Sequence, residues 1–274
     1  MNDDAESTNR DSVIRVAVLT TDTPHHRYYL RRLWNEAPQG VEFVLALFET
    51  RPYPWGRNAK RHLRQTMPNL WRGLALNPYF QPLSFARAQA EFENSHFFPD
   101  GDSSLPKSLP VRKVRSVNDD DAAVALAEAA PDLQLVYGTG VVKARTFDGP
   151  PLGTVNAHGG KLPAYRGLDT NLWAVLEGRP QDMTVTLHGI DAGIDTGQIY
   201  AAEPIGRIKG MNAVNLRCHT AILCTRMTID LLARFAAGTA RAEPQTGEGR
   251  YFGPMPWLLR QRAGRLLRAY AESP

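Results

Sequence analysis

Short apolar, β-branched runs alternate with stretches of helical period along most of the chain. This alternation predicts an α/β fold built on an open, twisted, mostly parallel sheet with helices on both faces. Val13 to Thr20 (VIRVAVLT) has an apolar middle, as a strand covered on both faces requires. Thr21-Asp22-Thr23 then stands before Pro24, a cap-then-proline start for a helix to about Glu36 that turns Tyr28, Leu30, Leu33 and Trp34 inward. Ala37-Pro38-Gln39-Gly40 breaks it, and Val41 to Phe48 reads as a second buried strand. Val111 to Val117 gives a third, short strand. Asn118-Asp119-Asp120-Asp121 places cap residues and negative charge at the start of a helix running to Ala130. Leu133 to Tyr137 is the next strand, closed by Gly138-Thr139-Gly140. Two more short runs end at His158 and His188, the second spanning Met183 to His188.

The segments between and after these runs divide the chain. Residues 1–11 are polar and acidic without an apolar period, so a disordered tail is expected. The core unit is predicted over residues 12–206, interrupted by an insertion at about 51–109 that mixes proline, arginine and aromatics and carries one helix, Leu83 to Phe97. Arg57, Lys60, Arg61 and Arg64 within it suit an exposed helix face better than an RNA contact. Residues 207–274 read as a helical extension. Its first helix lies within Met211 to Ala237 and stops at Gly238; its last, Trp257 to Tyr270, sets Leu259, Ala263, Leu266, Leu267 and Tyr270 against Arg260, Arg262, Arg265 and Arg268. That stripe points to packing on the protein itself or on a second copy in a homodimer, ahead of a membrane or RNA.

Composition narrows the class only a little. With 43% hydrophobic and 22% charged residues among 274, the chain is an ordinary globular protein. No apolar run approaches the roughly 18 residues that a membrane span needs. Cys218 and Cys224, the two cysteines, make neither a metal pattern nor a disulfide signature, which predicts a reducing, cytoplasmic setting. The scattered histidines offer no metal-ligand set, so a metal-free site is expected. The βαβ opening lacks a Gly-x-Gly-x-x-Gly turn, which removes the usual dinucleotide site.

Candidate chemistry concentrates between Thr154 and Ile199. Asn156 and His158 are two apart on an extended run and so share a face. Asp195 follows in Ile190-Asp191-Ala192-Gly193-Ile194-Asp195-Thr196-Gly197, past the second run. An amide, an imidazole and a carboxylate are expected to meet beyond the carboxyl ends of the strands. The stretch resembles the folate-dependent formyltransferases, the family of glycinamide ribonucleotide transformylase, methionyl-tRNA formyltransferase and the amino-sugar N-formyltransferases. The residues carrying the likeness are Asn156-Ala157-His158, Leu162-Pro163-Ala164-Tyr165-Arg166-Gly167 and Asp195-Thr196-Gly197. The likeness extends more loosely from Val13 to Tyr200, with one departure: Gly159-Gly160 stands where many members have Pro-Ser.

The resemblance implies a Rossmann-like fold, 10-formyltetrahydrofolate as formyl donor and an amine as acceptor. It makes Asn156, His158 and Asp195 the catalytic residues. An Asn156 N–H and a protonated His158 then serve the oxyanion of a tetrahedral intermediate, while Asp195 orients His158 or takes a proton through water. Folate contacts fall on Gly138, Thr139, Gly140, Val141 and Val142, largely through the backbone, and on Asp191 and Ile194. The Leu162–Pro163 bond is expected to be cis. For the acceptor, the first turn His25-His26-Arg27 sits at a helix N-terminus suited to anions, with Arg27 the preferred anchor and His25 beside it. Gly159 and Gly160 are expected to widen the pocket, and His188 to line it. Too few residues follow the core for the barrel of methionyl-tRNA formyltransferases, and the phosphate loop of glycinamide ribonucleotide enzymes is missing. The expected acceptor is therefore a small, anionic amine such as a nucleotide-linked amino sugar, with no nucleic acid bound. Two other readings stay open: a hydrolase of 10-formyltetrahydrofolate, recognisable by formate release without acceptor, and a non-catalytic folate-binding or interaction module.

Overall fold

The computed structural model describes residues 13–50 and 82–273. The expected tail and Arg57, Lys60, Arg61 and Arg64 lie outside the described residues. Seven strands form the main sheet: β1 (Ile14–Thr21), β2 (Val41–Glu49), β3 (Val111–Val114), β4 (Leu133–Tyr137), β5 (Thr154–His158), β7 (Thr184–Gly189) and β8 (Ile199–Pro204). Their order is β3-β2-β1-β4-β5-β7-β8. Pairings from β3 to β5 are parallel, while β7 is antiparallel to both β5 and β8. Among the described strands of this sheet, only β7 therefore runs against the rest. The parallel centre and the reversal of order beside β1 make the open, mostly parallel sheet that the alternation predicted, of the Rossmann-like kind that the resemblance implies.

Side-chain alternation on the central strands feeds two cores. Val16 and Val18, Ala46 and Phe48, and Leu133, Leu135 and Tyr137 point to one face. There they meet α1 (Pro24–Asn35) through Tyr29, Leu30 and Leu33, and the long helix α6 (Leu216–Ala236) through Ala221, Cys224, Met227, Leu231 and Leu232. Ala17, Leu19, Leu45, Leu47 and Val136 point to the other face. They are covered by Ala122, Ala125 and Leu126 of α3 (Asp120–Ala129) and by Phe147 of α4 (Ala144–Phe147). Thr23 is the N-cap of α1, as expected, but its hydroxyl turns to the His25 and His26 rings and makes no capping bond.

The residues after 206 are part of this core rather than an appendage. Helix α6 supplies much of one layer. Helix α7 (Trp257–Glu272) buries Ala263, Leu267 and Ala271 against Leu172 and Val175 of α5 (Thr170–Leu176), so most of its apolar stripe is covered by its own chain, while Leu266 stays exposed. The Gly/Pro-rich stretch before it contributes β9 (Arg250–Phe252), paired in parallel with β6 (Tyr165–Gly167) in a two-stranded sheet. The predicted helix in the insertion is α2 (Leu83–Phe97), and it brings one fully buried acid, Glu93, against α1 and α6. The Leu162–Pro163 bond is cis, as expected.

Candidate functional site

Strand pairing, more than sequence spacing, assembles the polar cluster. Asn156 and His188 are direct cross-strand partners on β5 and β7, and their side chains meet with Asn156 Nδ2 3.1 Å from His188 Nε2. The other ring nitrogen, His188 Nδ1, donates to the Gly189 carbonyl at 2.7 Å. His188 therefore carries its proton on Nδ1 when neutral and accepts from the Asn156 amide at Nε2. His158, two residues along β5 on the same face, sends Nε2 to the Tyr165 carbonyl at 2.9 Å. A carbonyl can only accept, so the Nε2 proton is committed there and Nδ1 is the lone-pair nitrogen. That nitrogen lies 3.6 Å from Asp195 Oδ2. Asp195 Oδ1 in turn lies 3.5 Å from His188 Nε2.

Asp195 reaches this point by a different route from the one expected. Because β7 runs antiparallel to β5, its carboxyl end lies opposite the start of β5, with Gly189 paired to Val155. The loop 190–198 then folds back, and Asp195, at φ 52°, brings its carboxylate between the two imidazoles. The Gly167 N–H donates to Oδ2 at 2.8 Å. Gly167 has φ 99°, and a Cβ there would stand 2.1 Å from the Phe252 carbonyl oxygen, so only glycine lets β6 carry this donor beneath β9. Burial works against the charged Asp195 carboxylate. The neighbouring His188 and His158 rings and the Gly167 N–H outweigh it and hold the pKa down at about 2. For His158, burial is the largest influence and lowers its pKa, with His188 acting the same way and Asp195 and the Tyr165 carbonyl opposing. The cluster at neutral pH is thus a carboxylate beside a neutral His158.

This geometry changes the role expected of His158. Its Nε2 proton is engaged by Tyr165, and its free nitrogen faces a carboxylate, so the ring is placed to receive a proton rather than to aim one at an oxyanion. Asn156 is half-buried and has a second amide N–H beyond the one given to His188. His188, expected to line the pocket, is part of the cluster itself.

The turn after β4 lies on the strand adjacent to β5. Gly138, Gly140 and Val141 are exposed, while Val142 is buried in the second core. Its conformation is fixed from behind. The Gly140 N–H donates to Glu49 Oε2 at 2.7 Å, and Asn118 bridges the Val141 carbonyl and the Lys143 N–H at 2.8 Å each. The sequence marks Asn118 only as a helix cap and gives no signal for Glu49. In the loop 190–198, Asp191 Oδ1 accepts from the Gly193 N–H at 3.0 Å and from the Thr196 hydroxyl, shaping the turn, and Ile194 is exposed.

The expected acceptor residues are placed otherwise. Arg27 closes on Asp22 at 2.5 Å and on the Ser103 carbonyl at 3.1 Å, so its charge is compensated within the protein. His25 is buried, 3.1 Å from Glu93 Oε2. Burial pushes its pKa well down, and the Arg217 charge adds to this. Neither presents an open anion site. Gly159 and Gly160 do not widen an entrance either. A Cβ at Gly160 would stand 2.6 Å from His158 Nε2 and 2.7 Å from Thr170 Oγ1, and one at Gly159 3.3 Å from Thr220 Cγ2. The glycines let the loop pack directly on the imidazole. A cavity of about 480 Å³ opens elsewhere, at the amino end of β4 among Leu126, Asp132, Gln134 and Pro150, and contains none of these groups.

Comparison with known proteins bears on the family and the fold. The formyl transferase family model matches residues 71–219, more than half of the chain. The methionyl-tRNA formyltransferase of Koribacter versatilis is 30% identical over 172 residues, covering 62% of this chain and 54% of that protein. The Desulfotalea psychrophila enzyme of the same name is 36% identical over 138 residues, covering 50% and 42%. The chain thus spans about half the length of these relatives. Among solved structures, a 4-N formyltransferase from Francisella tularensis superposes with a TM-score of 0.56 at 10% identity, covering 95% of this chain and 88% of that one. Glycinamide ribonucleotide transformylase 1 from Symbiobacterium toebii superposes at 0.53 with 18% identity, covering 85% and 95%. At such identities these likenesses concern the fold. On the match of its family model, the chain belongs to the formyl transferase family.

Proposed function

We propose that the protein transfers a formyl group from 10-formyltetrahydrofolate to the amine of a small acceptor. The observation carrying this reading is the Asp195 carboxylate held between His158 and His188, with Asn156 alongside. The folate supplies the activated formyl group when bound. The exposed turn Gly138-Thr139-Gly140-Val141, braced by Glu49 and Asn118, suits a flat, hydrogen-bonding head, and exposed Val141 and Ile194 offer apolar contact. Val142 and Asp191 support the two loops from within. The chain's own residues then divide the work. The second Asn156 N–H stabilises negative charge as it develops on the formyl oxygen. His158 takes the proton of the attacking amine at Nδ1 as the new C–N bond forms, the ionised Asp195 stabilises the resulting imidazolium, and the proton is returned to the folate nitrogen as its bond to the formyl carbon breaks. His188 fixes the Asn156 amide.

An amino sugar is the acceptor to test first, because the chain shares its fold with the Francisella 4-N formyltransferase and with a sugar N-formyltransferase from a Shewanella species. Incubation with 10-formyltetrahydrofolate and a panel of nucleotide-linked amino sugars, other small amines and initiator methionyl-tRNA should add one formyl group to an amino sugar, read by mass. Formate release with no acceptor modified would instead make the protein a hydrolase. Formylation of the tRNA alone would overturn the small-acceptor reading. In wild-type comparison, His158→Ala or Asp195→Ala should lower turnover by ~100-fold or more with donor binding retained.

A further inference from the structure

Asp195 hangs from a loop in a left-handed backbone conformation, and its position is set from a distant part of the chain. Gln245 lies fifty residues further on, outside the matched family region. Its Nε2 donates to the Asp195 carbonyl at 2.9 Å and to the Gly197 carbonyl at 2.8 Å. Its Oε1 accepts from Arg166 Nη2 at 3.1 Å. The amide has one orientation that satisfies all three contacts, because the two loop groups accept and the guanidinium donates. Segment 243–245 is itself docked on the loop's exit, where Ile199 and Glu243 exchange backbone hydrogen bonds at 2.8 and 2.9 Å. Arg166 comes from the same strand, β6, as Gly167, whose N–H holds the Asp195 carboxylate. One side chain thus joins the backbone beneath Asp195 to the strand that binds its carboxylate.

We propose that Gln245 is a positioning residue that acts through Asp195, holding its carboxylate in register with the His158 imidazole. The inference rests on the reading of Asp195 as the partner of His158. A side chain that only filled space would tolerate Gln245→Glu, which keeps the volume and the Arg166 contact. A positioning residue would not, because the substituted carboxylate has no N–H to give and sets an oxygen against two carbonyls.

The test is an NMR titration of isotopically labelled histidine side chains in the full chain. It compares wild type with Asp195→Asn, Gln245→Ala, Gln245→Glu and the double variant Asp195→Asn/Gln245→Glu. His158 faces Asp195, His188 and the Tyr165 carbonyl, so loss of the carboxylate should move its titration to lower pH by about half a unit or more. Both Gln245 variants should shift His158 in that same direction, and the double variant should titrate like Asp195→Asn alone. If Gln245→Ala does not fold, Gln245→Glu carries the comparison. A His158 titration unchanged in the Gln245 variants but shifted in Asp195→Asn would overturn the positioning role and leave the site intact. No shift in Asp195→Asn itself would remove the Asp195–His158 pairing, and the inference with it.

Discussion

At the scale of single residues, the side chains that the structure brings together were more legible in the sequence than the contacts they make. Asn156, His158 and Asp195 were legible because a period-two strand and a short motif are local signals. The commitment of His158 Nε2 to a backbone carbonyl was not, since Tyr165 meets it only through the cis-proline loop. Gly159-Gly160 illustrates the same limit. Two missing side chains look like added space in a sequence, yet here the space is occupied by His158, Thr170 and Thr220. We therefore expect Gly160→Ala to be an overpacking change, costing about 1–3 kcal/mol and displacing the imidazole from Tyr165. It should lower both melting temperature and turnover. An active variant of unchanged stability would mean that the loop has room to relax.

Among elements, strands and helices followed the hydrophobic pattern closely, while directions and partners did not. Nothing in Met183 to His188 tells that its strand runs against β5, because a short buried run reads the same in either sense. The helix of the insertion was legible too, but its single buried acid was not. Glu93 links three helices, bonding Arg217 of α6 at 2.5 Å and His25 of α1 at 3.1 Å. Glu93→Gln keeps the shape and removes the charge, leaving Arg217 without its counterion. The expected cost is ~2 kcal/mol, or a fall in Tm of roughly 4–8 °C. Calorimetry checks this, and an unchanged Tm would assign the contact no part in fixing α2.

Over the whole molecule, ionisation couples the site to stability. The Asp195 carboxyl titrates at about 2 in the fold, against about 3.9 in an unfolded chain, so the folded state binds its proton less readily. The stability this supplies, about 2 kcal/mol, is complete above pH ~4 and is lost as the pH falls toward 2. His25, His26 and His158 also have lowered pKa values, set first by burial, so an earlier loss begins as the pH drops below ~6.5 and the unfolded histidines protonate. Urea midpoints from pH 7 to pH 3 should therefore fall in two stages. The gap between wild type and Asp195→Asn should close below pH 4. A profile flat from pH 7 to pH 5 would contradict the buried neutral histidines. The long reach from Asp195 to Gln245 also has a consequence for how the protein comes into being. During synthesis Asp195 leaves the ribosome fifty residues ahead of Gln245, an interval of several seconds at ~5–20 residues per second. For that interval the nascent chain carries its carboxylate on an unsupported loop, so the sheet can assemble before the site it will bear is in working order.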